Sequence, residues 1–129
     1  IMNDSKNPLS PHLQIYRWQI SSLISIFHRI TGIINVMGLI IICLWIGLLF
    51  FGESSYELIN IFFQSYFGKV FIMGFVWSYS FHLLSGIRHL ILDLGYGYEI
   101  KTANISGIIV IVGSLALTVL MWLIGRGLI

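Results

Sequence analysis

The chain is poor in charge, in cysteine and in proline. Of its 129 residues, 9% are Asp, Glu, Lys or Arg, against about 25% in an average soluble domain. Residues counted as hydrophobic make up 57%. That balance excludes intrinsic disorder. It also excludes a water-dispersed domain, which needs far more polar surface. Seven Lys and Arg against five Asp and Glu leave a formal charge of +2. With no basic cluster, that charge argues against a nucleic-acid partner. The single cysteine, Cys43, permits neither an intrachain disulfide nor a cysteine-based metal cage. The class that survives is an integral membrane protein.

A membrane helix needs about 20 mostly apolar residues to cross about 30 Å of hydrocarbon. Ile33 to Phe51 is one such run, interrupted by Asn35 and glycines. Val70 to Leu92 is a second, but it carries Ser78, Ser80, His82, Ser85, Arg88 and His89. Ile105 to Ile124 is the third and is almost purely apolar. The runs are continuous, so the alternation of a membrane barrel does not fit them. A lipid-facing backbone must satisfy its own hydrogen bonds, and helices do so. The expected fold is an all-α membrane protein with three transmembrane helices. Their expected spans are about 21–51, 66–92 and 104–126. A surface arm over 1–20 precedes them in one membrane-anchor domain. Gly52-Glu53-Ser54-Ser55 and Gln64 to Lys69 read as connections, as does Asp93 to Asn104.

The two prolines, Pro8 and Pro11, oppose helix in the arm. Tyr16 and Trp18 suit a headgroup-level aromatic belt. The arm lacks a compact apolar core followed by a small-residue cleavage site, so it is not read as a signal peptide. Lys6, Arg17, Arg29, Arg88 and Lys101 fall on the side of the N-terminus, and Lys69 and Arg126 on the other. That bias places the N-terminus inside, in the cytoplasm or the mitochondrial matrix.

Two polar clusters break the apolar pattern. In the first, Ser25, His28, Arg29 and Gly32 share one helix face. The plain alternative is that Arg29 and His28 anchor the helix end at the headgroups by snorkelling. In the second, His82 and His89 stand two turns apart with Ser85 between them. His82 precedes Asp93 by eleven residues, about 16 Å in from the polar end at 1.5 Å per residue. A polar side chain at that depth is a functional-site hypothesis by default. The plain alternative is an interhelical hydrogen bond, worth about 0.6 kcal/mol on average. His89 lies nearer the interface, where a histidine is more ordinary.

A neutral imidazole facing the inside of a bundle is a natural haem iron ligand. There is no CxxCH, so a b-type haem is the variant that fits. Its propionates would seek Arg29 and His28, expected about half a bilayer from His82. His28 and His89 read as too near the inner surface to pair with His82 across one iron. His12 lies outside the spans, so the second axial ligand is expected from another chain.

At these clusters the sequence resembles the large cytochrome b subunit of succinate dehydrogenase, respiratory complex II. Pro8-Leu-Ser-Pro-His-Leu-Gln-Ile-Tyr16 resembles the family's RP-x-SPHL-x-IY. Ser25-Ile-Phe-His-Arg-Ile-Thr-Gly32 resembles its S-x-x-HR-x-[ST]-G. His82 to Asp93 resembles its H-x-x-x-G-x-RH-x-x-x-D. The match covers about residues 7–98, and Asn7 departs from the family's usual Arg.

The resemblance implies that His82 is the haem axial ligand and metal-binding residue. Ser25 and Arg29 match ubiquinone-site residues, with Trp18 a weaker match at the quinone entrance. His28 and Arg29 lie where haem propionates are held, and His89 is a weaker cofactor contact. It implies a small membrane-anchor subunit supplying the second histidine and packing with this chain into a helix bundle. It also implies iron–sulfur and flavoprotein subunits over the inner face. Succinate would be oxidised at the flavin, and electrons would reach ubiquinone near Ser25 and Arg29. The isolated chain is expected to have no catalytic activity. The mitochondrial inner membrane is favoured, with a bacterial cytoplasmic membrane as the alternative. Rival readings are a fumarate reductase anchor, a structural anchor without haem, and a transporter using His82 and His89 as a proton relay. The last predicts Asp or Glu deep in the spans, and there is none.

Overall fold

A computed structural model describes residues 19–128. The described residues form four helices: α1 (Ile20–Leu48), α2 (Glu53–Gln64), α3 (Tyr66–Asp93) and α4 (Ile100–Leu128). A short 3-10 turn, Leu49–Phe51, prolongs α1. α1, α3 and α4 are long and apolar enough to cross a membrane. At 29, 28 and 29 residues and 1.5 Å per residue, each is about 42–44 Å long. That exceeds about 30 Å of hydrocarbon, so each helix has several residues to spare beyond the apolar core.

Helix α2 falls between the first two expected spans; its ends, Glu53 to Ser55 and Gln64, read as connections, and no element is expected over 56–63. Its apolar residues Ile59, Phe62 and Phe63 recur at helical spacing. Glu53 lies in its first turn, where a carboxylate opposes the positive end of the helix dipole. Twelve residues are too few to span, so α2 folds against the far ends of α1 and α3. The α2–α3 corner is closed by Ser65, whose Oγ accepts from the Gly68 amide at 3.2 Å.

Helix α3 ends in a Schellman motif. The Gly95 amide donates to Leu92 O at 2.9 Å and the Tyr96 amide to Ile91 O at 3.3 Å. The motif needs a left-handed residue, and Gly95 supplies φ +92°. Because Gly95 turns the chain so sharply, α4 starts at Ile100, earlier than the apolar run suggests. Lys101, Thr102 and Asn104 thus join its first turns.

The central helix is α3, which packs on α1 and α4, while α1 and α4 touch over a shorter length. The interior is the reverse of a soluble core. Among the described residues, the buried apolar side chains are Ile24, Phe81 and Val110, with Ile20, Trp77, Leu84 and Ile111 against them. The buried polar ones are Thr31, Ser78, Ser80, Ser85, Ser114 and Thr118. Large apolar residues point outward, with Ile33 65% and Phe50 88% exposed. This follows from the solvent. Lipid tails offer no hydrophobic drive between helices, so small and hydroxyl residues line the contacts and let backbones approach. At Gly107 a Cβ would stand 2.5 Å from Ile20 Cγ2 and 2.7 Å from Ile24 Cδ1. A larger residue there would have to displace these side chains, so the glycine lets α4 approach α1 closely.

Candidate functional site

The two polar clusters meet at the α1–α3 contact. The imidazoles of His28 and His82 stack with centroids 4.1 Å apart and planes 9° from parallel. The half-bilayer separation expected between them is therefore not found. Helical rise explains the difference. With α1 starting at Ile20, His28 lies about 12 Å in from its end, close to the depth of His82 measured back from Asp93.

Each ring is held by the other's helix. His82 Nδ1 lies 3.2 Å from the main-chain oxygen of His28 and 3.4 Å from Thr31 Oγ1. A carbonyl oxygen can only accept, so Nδ1 carries the proton and donates. Thr31 Oγ1 in turn donates to His28 O at 3.0 Å. His28 Nδ1 lies 2.6 Å from Ser85 Oγ. The Ser85 hydroxyl donates to His82 O at 3.2 Å. Its single proton is thus used, and its oxygen accepts from His28 Nδ1–H.

Two further features bring the helices this close. Gly32 faces the edge of His82, where a Cβ would sit 3.2 Å from Cε1. One turn deeper, Ser78 Oγ shares its proton between Thr31 O at 3.1 Å and Asn35 Oδ1 at 2.9 Å. Sequence reasoning noted Thr31, Asn35 and Ser78 but gave them no part. Ser78 and Ser85 are seven apart on α3 and flank His82, a spacing that marks one hydroxyl-bearing face.

The tautomer defines what His82 can do. With Nδ1 committed to a carbonyl, Nε2 keeps its lone pair. That is the usual arrangement of a metal-binding histidine, whose other nitrogen donates to a backbone carbonyl or carboxylate. The residues therefore fit a haem iron at His82 Nε2. The stacked rings place His28 alongside His82, so a second ligand to such an iron would have to come from elsewhere. Among the described residues, no three His, Cys, Asp or Glu side chains gather as a metal site.

Ser25 and Arg29 are exposed, on the edge of α1 next to the half-buried imidazoles. Neither hydrogen-bonds another described residue. Their hydroxyl and guanidinium are free to meet a ligand or another chain. His89 stands apart from the pair. It is 71% exposed and lies 3.7 Å from Asp93 one turn on. Trp18, matched to the quinone entrance, falls outside the described residues, as do residues 1–17 of the arm.

Arg88 has a part that spacing did not reveal. Its Nε donates to Ser106 Oγ at 3.0 Å, and its Nη2 to Ser21 Oγ at 3.1 Å and Ala103 O at 3.2 Å. One guanidinium thus ties α3 to α4 and to the first turn of α1. Arg29 and Arg88 look alike as membrane-flanking cations, yet only Arg88 is committed inside the bundle.

Another groove lies away from the imidazole pair. It is apolar, lies at the opposite end of the bundle, and is lined by Cys43, Trp45, Phe51, Ile59, Phe62 and Phe71 among others. The imidazole pair instead opens onto the surface of this chain, so any ligand there needs a second surface to enclose it.

Known proteins match this chain over most of its length. The family model for the succinate dehydrogenase/fumarate reductase transmembrane subunit matches residues 3–121. The succinate dehydrogenase cytochrome b556 subunit of Rickettsia prowazekii is 41% identical over 118 residues, covering 92% of each chain. That of Paracoccus denitrificans is 38% identical over 119 residues, again 92% of each. The mitochondrial cytochrome b560 subunit of Sus scrofa is 40% identical over 114 residues, 84% of this chain and 65% of the relative.

Proposed function

Since this chain belongs to the succinate dehydrogenase/fumarate reductase transmembrane-subunit family, we propose that it anchors a succinate:ubiquinone oxidoreductase and binds haem b through His82. The relatives named above are all succinate dehydrogenase subunits, which favours that direction over a fumarate reductase. The carrying observation is the tautomer of His82, whose Nδ1–H donates to His28 O at 3.2 Å and leaves Nε2 for the iron. A structural anchor would use the same interhelical bond; what favours the haem reading is the Nε2 left without a partner among the described residues.

When bound, the haem supplies a one-electron redox centre whose potential the surroundings tune. His82 Nε2 would hold the iron, and the His28 carbonyl and Thr31 hydroxyl hold its ring. Arg29 is a free cation beside the pair, suited to propionate or quinone oxygens. Ubiquinone is the substrate, and its reduction takes two electrons and two protons. Ser25 donates its hydroxyl proton to a quinone carbonyl. Arg29 stabilises negative charge developing on the quinone oxygen, as a preorganised cation in a low-dielectric site.

The outward-facing imidazole edge supports a small anchor subunit as the second wall and the source of the second histidine. Flavoprotein and iron–sulfur subunits dock over the arm side. The excess of Lys and Arg on that side supports a matrix or cytoplasmic N-terminus. The test is purification of the complex from membranes with its partner chains, followed by a reduced-minus-oxidised spectrum. A b-type α band in a preparation with a flavoprotein is expected. A featureless spectrum refutes the haem assignment.

A further inference from the structure

Ser85 sits where a single hydroxyl touches both imidazole-bearing helices. It is 2% exposed. Its proton goes to His82 O at 3.2 Å, and its oxygen accepts from His28 Nδ1 at 2.6 Å. That is the single hydrogen bond of the His28 side chain among the described residues, and it decides how the His28 ring lies. The ring covers one face of His82 at 4.1 Å. The edge of His82 is bounded by Gly32, and its Nδ1 by His28 O and Thr31 Oγ1.

We propose that Ser85 is a positioning residue for the iron-binding imidazole, setting the plane of His82 through the stacked ring of His28. The proposal rests on the reading of His82 as the axial ligand. It also gives His28 a part besides propionate binding, as a wall against which His82 stands. Without the Ser85 oxygen, His28 Nδ1 loses its acceptor inside a dry helix contact, and its ring turns to find another. The face of His82 is then no longer held, while its Nδ1 bond persists. Iron stays ligated, but the ring plane rotates. In a low-spin ferric haem, the axial ring planes set the splitting of the iron orbitals, which the g values report. Changes to groups that orient a ligand typically cost about 10–100-fold in metal affinity.

The test uses the assembled complex in detergent, with Ser85→Ala, Ser85→Thr and His82→Leu. Two readouts are taken: the low-spin g values, and the rate of haem transfer to apomyoglobin. Ser85→Ala is expected to shift the g values and to speed transfer about tenfold, at the lower end of that range. Ser85→Thr, which keeps the hydroxyl, is expected to retain wild-type values. If Ser85→Ala does not assemble, Ser85→Cys serves in its place, since a thiol is close in size but a weak acceptor. Wild-type g values and transfer rate in Ser85→Ala or Ser85→Cys overturn the proposal. So does a Ser85→Thr complex that shifts as far as Ser85→Ala, because volume would then be the cause. A His82→Leu complex that keeps its haem overturns the axial assignment beneath it.

Discussion

The ring of His28 lies flat against the ring of His82, 4.1 Å between centroids. Each is hydrogen-bonded through Nδ1 to a group on the other's helix. The pair joins the two polar clusters of the sequence into one site. It also sets His28 beside His82, ring face against ring face.

Replacing His82 tests the ligand directly. His82→Leu is expected to abolish bound haem while the three long helices still insert, because the apolar runs that drive insertion are unchanged. Pyridine haemochrome analysis of the purified complex measures the loss. Full haem content with an unchanged α band would refute the assignment.

Arg29 is exposed and makes no hydrogen bond or ion pair with another described residue. Arg29→Leu should therefore leave assembly intact. It is expected to lower succinate:quinone activity by roughly 100-fold, the scale of one lost preorganised donor at a developing charge. Succinate oxidation by an artificial acceptor that bypasses the membrane should change far less. Equal losses in the two assays would move Arg29 to a structural part.

Two glycines flank the imidazole pair and make opposite predictions. A Cβ at Gly32 would stand 3.2 Å from His82 Cε1, whereas at Gly86 it would meet His28 Cε1 at an ordinary 3.8 Å. Gly32→Ala is expected to displace the His82 ring and lower haem occupancy several-fold. Gly86→Ala should be close to wild type. Equal haem content in the two variants, read from their spectra, would show that the close approach at Gly32 is not limiting.

Arg88 holds Ser21, Ser106 and Ala103 O at once. Arg88→Leu should destabilise the subunit by about 2–3 kcal/mol, the scale of hydrogen bonds to a charged donor. Arg88→Lys should recover part of that, since an ammonium cannot reproduce a planar fork reaching three acceptors. Thermal unfolding of the solubilised complex checks the order wild type, Lys, Leu. An unchanged transition in Arg88→Leu would refute the clamp.

Much of the architecture was legible in the residues because the membrane imposes a simple rule. Long apolar runs must be helices, and three were found where the runs lie. The missed element, α2, is short and half polar, so hydropathy does not separate it from a connection. Its form depends on Ile59, Phe62 and Phe63 having α1 and α3 to lean on. The candidate residues His82, His28, Ser25 and Arg29 stood out for a related reason, since polar groups are costly in a chain with 9% charge.

The chain's pattern of scarcity thus determined by itself that this protein has three helices able to cross a membrane and which few polar side chains stand out within them. It could not determine how those side chains meet. Depth along each helix can be estimated from residue counts, but the contact between α1 and α3 depends on close approach at Gly32 and on hydroxyls at Thr31, Ser78 and Ser85. Only the packed helices show His28 against His82, His82 Nδ1 beside the His28 carbonyl, and Arg88 turned inward while Arg29 stays free. The physical reason is that these outcomes belong to pairs of helices. Interhelical hydrogen bonds and steric fit are properties of two surfaces, and a single apolar run with scattered polar residues fits many of them equally well.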